Sequence, residues 1–154
     1  MLDFYERYRI DHARAPELLL IGNLAMPSPA VKGVRYLGYL PEEEKAAALA
    51  GADFVLCPGP YESLSIVLLE AFALGVPGLV NARSAVLQDH CRRANGGLYY
   101  EGADEFAEAF RLLSHDAELR RAMGENGRQY VRENYRWEAV LARYRELIEA
   151  AAAA

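Results

Sequence analysis

From Glu17 to Tyr100 the chain alternates short apolar runs with amphipathic stretches, and the alternation stops at Gly102. This is the sequence form of βα units, in which each buried parallel strand is followed by a helix that covers the sheet. Strands are predicted at residues 17–21, 34–37, 53–57 and 78–81, with a weaker one at 97–100. Beyond Gly102 only helical periodicity remains, over residues 105–114, 117–133 and 137–149.

The predicted fold is therefore α/β: a Rossmann-like open parallel sheet with helices on both faces and a helical C-terminal tail. Pro41 followed by Glu42, Glu43 and Glu44 predicts a helix start, and Gly51 stops that helix. A second, apolar helix is predicted from about Leu64 to Leu74, ended by Gly75 with Pro77 beyond it. Residues 1–150 read as one domain and 151–154 as a frayed tail. The opening residues 2–10 have helical spacing, yet no strand precedes them. The expectation is that the chain starts inside a larger protein.

Composition closes several functional classes. The formal charge of −5, without any basic run, offers no footprint for nucleic-acid phosphates. No apolar stretch is long enough to span a bilayer, and the N-terminus lacks a signal-peptide layout. A cytoplasmic location is expected, with any membrane contact made peripherally through a missing domain. Cys57 and Cys91 form no metal-spaced cluster with His12, His90 or His115 and read as packed thiols.

In open parallel sheets, ligands gather at the carboxyl ends of the strands. After the strand ending at Cys57 comes Pro58-Gly59-Pro60-Tyr61-Glu62-Ser63-Leu64-Ser65, a turn that runs directly into a helix. Such a turn offers backbone amides and a positive dipole end to a phosphate without needing lysine. Glu62 stands at its mouth and Glu70 lies eight residues on. Eight helical residues span about 12 Å, with the helix N-terminus between the two carboxylates. A nucleoside diphosphate sugar carries hydroxyls at each end and a diphosphate in the middle, which suits that spacing. The spacing argues against a glycosidase pair, whose carboxylates flank one bond at about 5–10 Å.

The same residues carry a family resemblance. Residues 52–58, then Glu62-Ser63-Leu64-Ser65, then Leu69-Glu70-Ala71-Phe72-Ala73-Leu74-Gly75-Val76-Pro77 resemble the C-terminal domain of family 4 (group 1) glycosyltransferases of the two-domain Rossmann-like (GT-B) type. Leu20-Ile21-Gly22 is similar to that family's early strand and glycine, Tyr36-Leu37-Gly38-Tyr39-Leu40 to its next strand and turn. Asn95-Gly96-Gly97-Leu98 matches its late glycine segment, and Tyr135-Arg136-Trp137 the aromatic entry to the last helix. The resemblance implies that Glu62, the candidate catalytic residue, contacts the donor hexose. It implies that Ser63, Leu64 and Ser65 hold the diphosphate and that Glu70 binds the ribose. Gly22, Asn23, Tyr39 and Leu40 would border the base. The implied reaction is metal-independent hexosyl transfer with retention, from a UDP or GDP sugar, with no cofactor. The implied partners are the nucleotide-sugar donor and a missing acceptor-binding N-terminal domain, without which the fragment transfers little.

Departures from the pattern are visible. Serines stand at positions 63 and 65 where the family usually has glycine, Gly59 replaces a common serine, and the second glycine after Gly22 is missing at Asn23-Leu24-Ala25. The family's phosphate-clamping Arg and Lys precede the opening helix, and neither Lys32 nor Lys45 lies at the matching place. One rival is a noncatalytic nucleotide-sugar-binding or interaction module. A flavodoxin-like or receiver-like domain ranks lower, because Asp53 opens its predicted strand instead of ending it. A dinucleotide oxidoreductase would need a Gly-x-Gly-x-x-Gly turn after the first strand. A nucleophilic His90–Cys91 pair is disfavoured, since adjacent helical residues point apart.

Overall fold

The computed structural model describes residues 1–12, 15–23 and 30–153. In chain order the elements are α1 (Leu2–Asp11), β1 (Leu18–Ile21), β2 (Val34–Gly38), α2 (Glu42–Ala50), β3 (Val55–Cys57) and α3 (Ile66–Leu74). There follow β4 (Gly78–Asn81), α4 (Ala85–Ala94), β5 (Gly97–Tyr100), α5 (Ala103–His115), α6 (Ala117–Asn134) and α7 (Trp137–Ala152). All strand pairs are parallel, as the βα alternation predicts.

Local chemistry accounts for the boundaries. Pro41 caps α2 ahead of its three glutamates, and Gly51 closes it by donating its N–H to the Ala47 carbonyl at 3.0 Å. Gly75 ends α3 at φ +79°, the left-handed turn that glycine enters without a Cβ penalty. The Ser84 and Asp116 side chains accept from the third amides of α4 and α6, Leu87 and Leu119.

Packing on β4 shows why helices lie on both faces. Leu79 and Val80 are each fully buried, and adjacent strand residues face opposite ways. Leu79 joins Tyr5 and Tyr8 of α1, Tyr100, and Phe106, Phe110 and Leu113 of α5. Val80 joins Cys57, Leu68 and Phe72 of α3, Leu87 and Cys91 of α4, and Tyr130 of α6.

The parallel sheet differs from the sequence expectation in being divided. β1 pairs with β2, while β3, β4 and β5 form a separate ladder. β3 spends its ladder on β4, with Val55 N–H donating to Pro77 O at 2.9 Å, and a cavity lies between β1 and β3. β3 also starts at Val55 instead of Asp53, because Asp53 turns to an ion pair with Arg120 at 2.9 Å. α7 continues to Ala152, beyond the predicted end at residue 149; Ala154 of the expected frayed tail lies outside the described residues, as do Leu24 and Ala25. Among the described residues no helix is long and apolar enough to cross a membrane.

Cys57 and Cys91 are buried free thiols, as expected. Burial pushes both pKa values up to about 12. Neither thiol is expected to react with iodoacetamide at pH 8 until the chain unfolds, because the nucleophile is the thiolate. The unfolded thiols ionise from about pH 9 while the folded ones do not, so stability falls as pH rises from there toward 12. Thermal melts between pH 8 and 10.5 check the sign.

Candidate functional site

Most of the predicted residues follow the carboxyl ends of strands: Gly22 and Asn23 after β1, Tyr39 and Leu40 after β2, and Glu62 to Ser65 after β3. Gly22 follows β1 and Gly38 closes β2; the Gly22 amide donates to the Gly38 carbonyl at 2.9 Å, and Tyr36 Oη donates to the Gly22 carbonyl at 2.6 Å. Both glycines have positive φ, +128° and +74°, so backbone conformation and not crowding selects glycine there. Gly22 and Asn23 line a cavity of about 790 Å³ that runs between β1 and β3 and is also bordered by Lys45, Pro58 and Val67. Tyr39, 74% exposed, and Leu40 lie beyond that lining.

A second, shallower cavity of about 590 Å³ lies on the other side of the α3 start. Pro60, Tyr61, Glu62 and Ser63 form one wall, and Arg83, Ser84, Ala85 and Val86 at the α4 start form the other. Glu62 folds back over Gly59, where an added Cβ would come within 3.1 Å of its Oε1. The glycine found there in place of serine thus makes room for the carboxylate.

Between the cavities the helix begins later than predicted. It starts at Ile66 instead of about Leu64, and Ser65 precedes it with φ +59° and ψ 70°. The α-helical rise therefore applies only from Ile66 to Glu70, about 6 Å, and the turn sets the rest of the Glu62–Glu70 separation. Ser65 is 6% exposed, and its hydroxyl is buried against the Cys57 thiol. The Ser65 carbonyl accepts from Leu68 and Leu69, leaving the preceding amides at the helix mouth.

A left-handed serine is strained by about 1 kcal/mol, which accounts for the glycine usual at this position in the family pattern. Ser65→Gly is expected to raise stability by about 1 kcal/mol and Tm by about 2–4 °C. A lower Tm in thermal denaturation would contradict the left-handed assignment.

Glu70 has a partner that sequence reasoning missed. Lys45 Nζ reaches Glu70 Oε1 at 3.1 Å and Glu42 Oε1 at 2.9 Å, bridging α2 to α3. Hydrogen bonds to Glu42 first, then to Glu70, raise the Lys45 pKa, so it remains a cation. The ion pair uses Oε1 of Glu70. In sequence, Lys45 follows three glutamates and reads as a solvated helix residue; its link to Glu70 spans 25 positions. Among the described residues, no group of three or more His, Cys, Asp or Glu side chains gathers. Asp53, paired with Arg120 ahead of its strand, is placed unlike a phospho-accepting aspartate.

Comparisons with known proteins point to one family. The family model for glycosyl transferases group 1 matches residues 29–130. A D-inositol 3-phosphate glycosyltransferase of Corynebacterium efficiens is 34% identical over 76% of the chain, which spans 28% of that relative's length. An MMP alpha-(1->4)-mannosyltransferase of Mycolicibacterium hassiacum is 32% identical over 92% of the chain, which spans 37% of it. The solved structure of a sucrose-phosphate synthase from Thermosynechococcus elongatus matches 99% of the chain with a TM-score of 0.76 at 23% identity, the chain covering 42% of that structure. With a family model over most of its length and relatives above 30% identity, the chain belongs to the group 1 glycosyl transferases.

Proposed function

We propose that the chain is the donor-binding half of a retaining, metal-independent glycosyltransferase that moves a hexosyl group from a nucleoside diphosphate sugar to an acceptor. The observation that carries this reading is the α3 start. A left-handed Ser65 stands at a helix mouth, with Glu62 in the wall of one cavity before it and, after it, Glu70 paired with Lys45, which borders the other. Helix-start amides stabilise the diphosphate, which leaves as an anion; the helix dipole supplies the positive end that a metal supplies elsewhere. Glu62 faces the smaller cavity and binds hexose hydroxyls. Glu70, held by Lys45 at one oxygen, accepts from the ribose. The base lies in the larger cavity beside Gly22 and Asn23.

The acceptor and the groups that complete the phosphate clamp belong, in this reading, to an additional N-terminal half. That the chain spans only 28% and 37% of two relatives supports it. The test joins such a half upstream and follows the anomeric configuration of the transferred sugar by proton NMR, with and without EDTA. Retained configuration unaffected by EDTA is expected. Inversion, or loss of transfer on chelation, would contradict the mechanism.

A further inference from the structure

Behind the Glu62–Ser65 turn sits His90 of α4, only 5% exposed. Its Nε2 lies 3.0 Å from the Leu64 carbonyl oxygen, and its Nδ1 lies 3.1 Å from the Tyr130 hydroxyl on α6. A carbonyl only accepts, so Nε2 carries the proton; in the neutral ring Nδ1 is then bare and accepts from the Tyr130 O–H. Burial first, and then the adjacent Tyr135 phenol, push the Tyr130 pKa upward, which keeps that donor protonated. The Tyr130 and Tyr135 rings stand edge-on to the imidazole, with centroids 5.9 and 6.0 Å away, and leave it one orientation.

We propose that His90 is a positioning residue for the donor diphosphate: its Nε2–H ties down the Leu64 carbonyl and thereby aims the Ser65 amide at the mouth of α3. The ligand in this statement rests on the function proposed above; the positioning does not. Leu64 C=O and Ser65 N–H belong to one planar trans peptide and point in opposite directions. Fixing the oxygen toward the buried imidazole turns the amide away from it, toward the start of the helix. The same bond secures the left-handed Ser65, since rotating that residue out of φ +59° would swing the peptide away from His90. No nucleophilic role is assigned, and Cys91 beside it is a packed thiol.

The test begins with the wild-type chain and no ligand. Long-range nitrogen–proton NMR of the imidazole should show the Nε2–H tautomer; the Nδ1–H tautomer would overturn the proposal without any variant. His90→Leu then keeps apolar volume and removes the donor, whereas His90→Gln places an amide N–H near the Nε2 position. In His90→Leu the Ser65 amide resonance should shift, and one lost buried hydrogen bond sets a scale of about tenfold for binding. Calorimetric Kd values for whichever of UDP, GDP and ADP the wild type binds should rise by a similar factor, and His90→Gln should recover most of the loss. An unmoved Ser65 amide in folded His90→Leu overturns the proposal. Equal losses in the Leu and Gln variants do so as well, because packing alone would explain them. If the wild type binds none of the three nucleotides, the functional reading fails, while the tautomer and the Ser65 amide still decide the positioning claim.

Discussion

Glu62→Gln is expected to lower kcat for sugar transfer about a hundredfold or more while leaving the donor KM within a few-fold, once an acceptor-binding half is joined upstream. Glutamine keeps the size and one acceptor oxygen but removes the charge that, in the proposed reading, would face developing positive character on the hexose, an effect largest in the transition state. Glu70→Ala should act differently. In the proposed reading its carboxylate accepts from ribose hydroxyls distant from the reacting bond, so its loss would remove binding shared by ground and transition states. The donor KM should rise about tenfold with little change in kcat. Lys45 keeps Glu42 as a partner at 2.9 Å in that variant, so no cation is left stranded. Steady-state kinetics on the two variants check the contrast; equal kcat losses, or none, would contradict the separate jobs assigned to the two ends of the site.

The largest stability effect is expected at Gly124. In an ordinary helix interior, Gly→Ala stabilises by about 1 kcal/mol. Here a Cβ would run into the carbonyl of Gly75, the left-handed residue that closes α3, and three residues on a Cβ at Gly127 would meet the Phe72 ring at 2.9 Å. Backbone, not a flexible side chain, is the obstacle at Gly124, so α6 must lift off α3. Gly124→Ala is therefore expected to cost about 3 kcal/mol and lower Tm by about 6–12 °C. The sign alone decides in thermal denaturation: a raised Tm would mean that the two helices do not approach this closely. Arg128 adds to the same seam by donating to the Leu74 carbonyl at 2.8 Å.

Much of this architecture is legible in sequence because it rests on local chemistry. The strands Gly78–Asn81 and Gly97–Tyr100 have the predicted bounds, and the Pro41 and Gly75 signals bound α2 and α3 where capping physics places them. The Glu62-to-Glu70 motif follows the carboxyl end of β3, as the strand and turn signals predict. What was not legible depends on distant partners. Lys45 joins Glu70 across 25 positions, and His90 joins Leu64 across 26 and Tyr130 across 40. No periodicity links such residues. The division of the sheet between β1 and β3 depends on which edges find hydrogen bonds, and apolar runs carry no record of that. Ser65 is intermediate: a serine gives no warning of positive φ, but the glycine usual in the family pattern points to it.

The central claim is that the α3 start holds a nucleoside diphosphate between the Glu62 and Glu70 ends. Calorimetric titration of the 154-residue chain with UDP, GDP and ADP, repeated on Glu70→Ala, tests it most directly. The account predicts saturable binding of at least one of these nucleotides, weakened about tenfold by Glu70→Ala. No binding, or the same Kd in both proteins, would contradict it.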